Sequence, residues 1–184
     1  MFGISQSGFT LIETMVALTL VTAALVGPFA LAVRGVISAR LFKDRLIAFN
    51  LAQEGLEITR HLRENNVIRG HHWRGLAGPC SAGDLCTRLD DFSAYFLDVY
   101  TAPWGPARPP MPSSLLTYDA ATALYSHAAT GAATPFQRTV AISTPGGSPD
   151  TNPQMLVVVT VNWTELGLPR EVRLEEVLYN WRQP

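Results

Sequence analysis

Charge is scarce in this sequence. Lys, Arg, Asp and Glu make up 16% of its 184 residues and nearly cancel, leaving a formal net charge of −1. That balance provides no basic face of the kind nucleic-acid binding requires, so no nucleic-acid partner is expected. Cysteine is scarcer still: Cys80 and Cys86 are the only two, in Cys-Ser-Ala-Gly-Asp-Leu-Cys. Two thiols cannot build a zinc site alone, and the spacing is not that of a Cys-x-x-Cys redox pair. The four histidines offer no better metal set. His71 and His72 are neighbours that point apart, while His61 and His127 lie far along the chain. No Gly-x-Ser-x-Gly, His-Glu-x-x-His or phosphate-cradling glycine loop occurs. Asp90-Asp91 and Glu175-Glu176 are adjacent acids whose side chains diverge, so they read as solvated charges rather than an acid–base dyad. These absences argue against an enzyme and imply neither a cofactor nor a metal.

The missing charge is concentrated in one place. Between Glu13 and Arg34 no side chain is ionised, and across residues 9–33 Glu13 is the only one that is. At about 1.5 Å per residue, a helix of that length crosses the ~30 Å hydrocarbon core of a bilayer with some tilt. An ordinary secretory signal has a shorter apolar region ending in a small-x-small cleavage site. A carboxylate within a membrane-spanning helix costs about 2.5–3.5 kcal/mol on insertion scales, so Glu13 calls for a partner. Cleavage after Gly8 would supply one: the new α-amino group of Phe9 lies four residues before Glu13, on the same helical face. An ammonium and a carboxylate, each costly alone in lipid, can neutralise one another between neighbouring helices and set their axial register. Further along, Gly27-Pro28 interrupts the backbone hydrogen-bond ladder, which predicts a kink or local melting there.

From Val36 to Arg63 the apolar residues Leu41, Phe42, Leu46, Phe49, Ala52, Leu56 and Leu62 recur mostly three or four positions apart. Lys43, Asp44, Gln53, Glu54, Glu57 and Arg60 fall between them. The pattern predicts an amphipathic continuation of the same helix over residues 34–66, weakened at Gly55 and stopped at Asn65-Asn66. His71-His72-Trp73, followed by glycines, reads as a surface loop. Phe92–Tyr100 is a candidate strand, residues 101–114 are a loop holding five prolines, and residues 116–119 and 123–126 suit a small hairpin. Residues 136–143, 155–163 and 171–181 alternate as three successive strands separated by turn signals, with Leu166-Gly167-Leu168-Pro169 as the last turn. An antiparallel sheet with one buried face follows, covered by the apolar stripe of the helix.

Gly8-Phe9-Thr10-Leu11-Ile12-Glu13, followed by Val16-Ala17-Leu18, resembles the processing signal of type IV prepilins and type II secretion pseudopilins. The resemblance implies a leader peptide of residues 1–8, cleavage between Gly8 and Phe9 by prepilin peptidase, N-methylation of Phe9 and assembly through Glu13. It implies other pilin or pseudopilin subunits and the filament assembly machinery as partners. It also implies an α+β, pilin-like fold, with one long N-terminal helix packed on a C-terminal antiparallel β-sheet. Residues 9–33 would form the transmembrane and filament-core segment, residues 34–66 its amphipathic half, and residues 67–184 a β-rich head. In this family a proline near Pro28 lets the helix unwind in the filament. Unlike most family leaders, residues 1–8 contain no Lys or Arg. Arg34, Arg40, Lys43 and Arg45 follow the apolar run, and the positive-inside bias alone would hold them in the cytoplasm. The prepilin signal outweighs that bias. It places a single-pass precursor in the bacterial inner membrane with the head outside the cytoplasm, and later in a pilus or periplasmic filament. In that compartment Cys80 and Cys86 suit a small loop-closing disulfide, with a pair of free thiols as the alternative. Leu51–Glu57, Arg63-Glu64-Asn65-Asn66 and the ending Leu178-Tyr179-Asn180-Trp181-Arg182 look most like PilV-type minor pilins. The expected role is a structural subunit, a minor pilin or pseudopilin. The alternative is a membrane-anchored tip adhesin displayed on such a filament.

Overall fold

In the computed structural model the described residues are 8–75, 89, 115–127, 131–149 and 151–181, together with the backbone of 92–95. Residues 1–7 of the expected leader, Asp90-Asp91, the pair Cys80 and Cys86 and the proline-rich segment 101–114 lie outside them. The elements in chain order are α1 (Leu11–Ile68), β1 (Phe92–Tyr95), β2 (Thr117–Asp119), β3 (Leu124–Ser126), β4 (Ala132–Ala133), β5 (Gln137–Ser143), β6 (Gln154–Glu165) and β7 (Leu168–Tyr179). The architecture is α+β, one long N-terminal helix and a C-terminal antiparallel sheet, as the sequence implies. The chain divides into two compact units, Met1–Asp44 and Arg45–Pro184, and α1 contributes to both.

In the first unit the described residues carry the N-terminal part of α1. Its apolar side chains are exposed on every side, from Phe9 through Val33. Beyond Thr10, three threonines punctuate this stretch, and each of their hydroxyls is satisfied locally. Thr14, Thr19 and Thr22 donate to the carbonyls of Leu11, Val16 and Thr19 at 2.8, 2.8 and 3.0 Å. Such back-bonding lets a hydroxyl sit in hydrocarbon without an unmet donor. Gly27 and Pro28 are both helical and α1 is continuous through them. Pro28 has no N–H to give the Ala24 carbonyl, so the ladder has a built-in weak step at that turn.

The second unit is organised by a four-stranded sheet in the order β1-β5-β6-β7, every neighbour antiparallel. On β6, Met155, Val157, Val159, Val161 and Trp163 are buried and alternate with partly exposed residues, the period-two signature of a strand buried on one face. Arg138, Val140 and Ile142 of β5 stand opposite Val161, Val159 and Val157 and share that face. A smaller sheet, β3-β2-β4, carries the expected hairpin with β4 added to it. The Tyr118 and Tyr125 rings face one another across this hairpin at 5.0 Å.

The helix covers the larger sheet with Ala52 and Leu62 of the expected stripe, and Leu56 half-buried beside them, but the stripe's other large side chains in this unit stay outside. Its buried residues are Ala48, Leu51, Ala52, Gly55, Ile58, Thr59, Leu62, Arg63 and Asn66, whereas Leu46 and Phe49 stay 61% and 41% exposed. Small residues decide the choice, because they let the helix axis approach the strands. A Cβ on Gly55 would lie 2.8 Å from Cγ1 of Val159, so the glycine that looks like a weakness in sequence is where helix and sheet meet most closely. Ion pairs then set the axial register. Arg138, 1% exposed, donates from Nη1 to Glu54 Oε2 at 2.7 Å and to the Leu51 carbonyl at 3.2 Å. Arg60 donates from Nη2 to both carboxylate oxygens of Glu176 at 2.7 and 2.8 Å, and this hydrogen bond holds the Arg60 pKa above its ordinary value against the opposing effect of burial. Glu176 is therefore not the solvated charge its neighbour Glu175 suggests. Arg63 reaches the Tyr179 carbonyl at 3.4 Å, so α1 and β7 run in the same direction along the unit.

The helix also ends later than Asn65-Asn66, the stop expected from sequence. It runs to Ile68 and closes on Gly70 at φ +79°. The His71 N–H reaches the Asn66 carbonyl at 2.9 Å and the Gly70 N–H the Val67 carbonyl at 3.1 Å, the two bonds of a Schellman cap with glycine in the left-handed position. Asn66 is buried and its amide donates to the Trp73 carbonyl at 3.3 Å. The following segment is not a surface loop throughout. Trp73 and Arg74 are both buried, and Arg74 donates to the Leu89 carbonyl at 3.1 Å and to Thr144 Oγ1 at 2.6 Å. The area of the indole, with its backbone held to Asn66, draws the loop inward. Finally, the β6–β7 turn comprises Leu166 and Gly167 alone, since Leu168 already pairs with Glu165 and Pro169 with Thr164. Pro169 is tolerated because β7 is the edge of its sheet.

Candidate assembly site

The residues singled out in sequence, Gly8, Phe9 and Glu13, sit at the start of α1. Thr10 caps it: its carbonyl accepts from the N–H groups of Glu13 and Thr14 at 3.1 and 3.2 Å, and its Oγ1 faces the Glu13 N–H at 3.4 Å. Thr10-Leu11-Ile12-Glu13 is the Thr-x-x-Glu spacing of a capping box, in which the N-cap hydroxyl satisfies the N3 amide. Thr10 thus joins Gly8, Phe9 and Glu13 at the candidate site as the residue that caps the helix, and the Thr-x-x-Glu spacing is its signal in the sequence. The cap places Glu13 in the first helical turn, where a carboxylate is favoured by the unpaired N–H groups and the helix dipole.

One side of the helix here forms a shallow groove lined by Phe9, Glu13, Thr14, Ala17, Leu18 and Val21. Its spacing of four, one, three, one and three residues follows a single helical face. The lining is apolar apart from Glu13 and the internally bonded Thr14. Among the described residues, no Lys or Arg stands on this part of the helix before Arg34, and cleavage after Gly8 would create an α-amino group on Phe9. In helical geometry that group is one turn away. Among the described residues, no heavy atom lies within 4 Å of where a Cβ on Gly8 would stand. Gly27 and Pro28 lie along the same helix, well removed from this groove.

Among the described residues, α1 is the one helix long and apolar enough to cross a membrane. Residues 4–27 match the model of the prokaryotic N-terminal methylation motif. No curated protein and no solved structure matches the chain.

Proposed function

We propose that the chain, which carries that motif at the head of its apolar helix, is a type IV prepilin-like protein that serves as a minor pilin or pseudopilin. In this reading it is inserted as a single-pass precursor in the inner membrane, cut by prepilin peptidase after Gly8, methylated on Phe9 and assembled with other subunits through α1. The observation that carries the reading is the capped helix start. Thr10 holds Glu13 in the first turn of an exposed apolar helix, one turn from the bond whose cleavage would release a compensating amine. In a filament the carboxylate of one subunit would meet the amine of a neighbour, which neutralises both in an apolar setting and selects one axial stagger. Methylation of Phe9 would keep the charge while adding apolar surface. The weak step at Pro28 gives the helix a place to open when neighbours compete for its backbone. The role is structural rather than enzymatic.

Mass spectrometry of the N-terminus in cells with a prepilin peptidase tests this. A mature chain starting at a methylated Phe9 is expected, and the Gly8→Arg variant should remain uncut. Normal trimming of Gly8→Arg, or a mature terminus elsewhere, overturns the assignment.

A further inference from the structure

The inner face of β6 changes character at its last two positions. Met155, Val157, Val159 and Val161 are apolar, and Trp163 and Glu165 continue the same side of the strand. The turn that follows fixes their direction. Leu166 and Gly167 both have positive φ, +50° and +78°, as a two-residue type I′ hairpin requires, and Glu165 pairs directly with Leu168 across it. That turn leaves no room for a one-residue slip, so Glu165 keeps its carboxylate on the side of the core.

Both side chains carry a polar atom that the fold encloses. Trp163 is 7% exposed, with the Phe136 ring 6.1 Å from its indole. Its Nε1 is buried and has no hydrogen-bond partner among the described residues. The Glu165 side chain is 11% exposed, and its Oε2 lies 3.3 Å from Nε of the half-exposed Arg170. Its other oxygen, Oε1, is buried and likewise has no partner among the described residues. An enclosed N–H donor and an enclosed carboxylate oxygen are each costly when unmet, so a pair of them on one strand face calls for a ligand.

The two needs are complementary, because one atom donates and the other accepts. Same-face positions two residues apart are separated by about 6–7 Å along a strand. A water molecule that accepts from the indole and donates to the carboxylate, with hydrogen bonds of about 2.8–2.9 Å, spans about 5 Å. A larger ligand does not fit, since both atoms are closed to solvent. We infer that the turn end of the β6–β7 hairpin holds an internal water bridging Trp163 Nε1 and Glu165 Oε1. Buried waters of this kind are part of a fold. Apolar cover runs out at this end, where Leu166 and Leu168 are 81% and 57% exposed. The bridge joins the last buried ring of β6 to the Glu165–Arg170 ion pair, and so holds the hairpin end by hydrogen bonds.

The test uses the full-length chain in detergent micelles, isotope-labelled at its tryptophan indole nitrogens, with the Trp163 signal identified by its loss in Trp163→Phe. Paired NOE and ROE spectra should show a cross-peak from water to the Trp163 indole proton, with the sign of a water that tumbles with the protein. Glu165→Leu removes the acceptor and should weaken that cross-peak several-fold. Glu165→Gln keeps an oxygen in the same place and should retain it. Absence of the cross-peak in the parent chain overturns the inference, and that measurement stands even if the leucine variant fails to fold. A cross-peak of full strength in a folded Glu165→Leu overturns it as well, because the water would then not depend on the carboxylate. So does a scalar coupling across a hydrogen bond from Trp163 Nε1 to the Glu165 carboxylate, which would mean that the two side chains meet directly.

Discussion

Gly55→Ala separates local helix preference from tertiary packing, because the two pull in opposite directions. Replacing a helix-interior glycine by alanine favours the helix by about 0.8–1.0 kcal/mol. At this position the new methyl would stand 2.8 Å from Val159 Cγ1, 3.3 Å from Cγ2 and 3.4 Å from Arg138 Cδ. Valine is stiff at χ1 and Val159 is fully buried, so relief requires the helix to move off the strand or the valine to leave its rotamer. Overpacking of this kind costs about 1–3 kcal/mol. The expected net effect is destabilisation of up to about 2 kcal/mol, or a fall of roughly 2–4 °C per kcal/mol for a unit of this size. The decisive measurement is a double-mutant cycle with Val159→Ala, followed by denaturant unfolding of the full chain in detergent, with tryptophan fluorescence reporting the buried Trp73 and Trp163. In the Val159→Ala background the clash is gone and Gly55→Ala should become stabilising by about 1 kcal/mol. If Gly55→Ala raises the midpoint equally in both backgrounds, the close approach of α1 to β6 is not what holds glycine here.

Three further outcomes follow from other contacts. Glu54→Gln removes the carboxylate beside the buried Arg138 guanidinium. Breaking a fully buried pair costs about 3–5 kcal/mol, and since the Glu54 side chain is 28% exposed a loss of about 1–3 kcal/mol is expected, largely recovered when Arg138→Met is added; denaturant midpoints check it. Glu13→Gln should insert into membranes as the parent does yet enter filaments poorly, read by comparing membrane and sheared-filament fractions; normal incorporation would remove the charge-neutralisation account. The Asp119 carboxylate accepts from the Ala121 N–H and the Thr122 hydroxyl, and these bonds lower its pKa below the ordinary 3.8. A depressed carboxyl stabilises above its unfolded pKa and loses that contribution as pH falls through the folded value. The Ala121 amide shift should therefore hold at neutral pH and move only below the usual carboxylate range, and Asp119→Asn should flatten the titration.

Much of this protein is local and could be read without coordinates. The Thr-x-x-Glu cap, the uncharged run after Glu13 and the period-two pattern of β6 each depend on neighbours a few residues away, so residue order alone determines them. The same holds for the pairing of β6 with β7, because a two-residue turn leaves those strands little choice but to pair. The face of α1 that meets the sheet is a different kind of question. The expected stripe holds at Ala52, Leu56 and Leu62 and fails at Leu46 and Phe49. The face that meets the sheet sets Leu51, Ile58 and Leu62 beside Ala48, Ala52 and Gly55, whose small size lets the backbones approach. The partners of Arg138, Arg60 and Asn66 depend on the same docking, through residues 84, 116 and 7 positions away. At the candidate assembly site the sequence points to Gly8, Phe9 and Glu13 and carries the Thr10 capping pattern, and the structure adds the exposed groove. The helix end moved from Asn66 to Gly70, because a left-handed glycine cap closes a helix more firmly than two asparagines, one of which the core had already claimed.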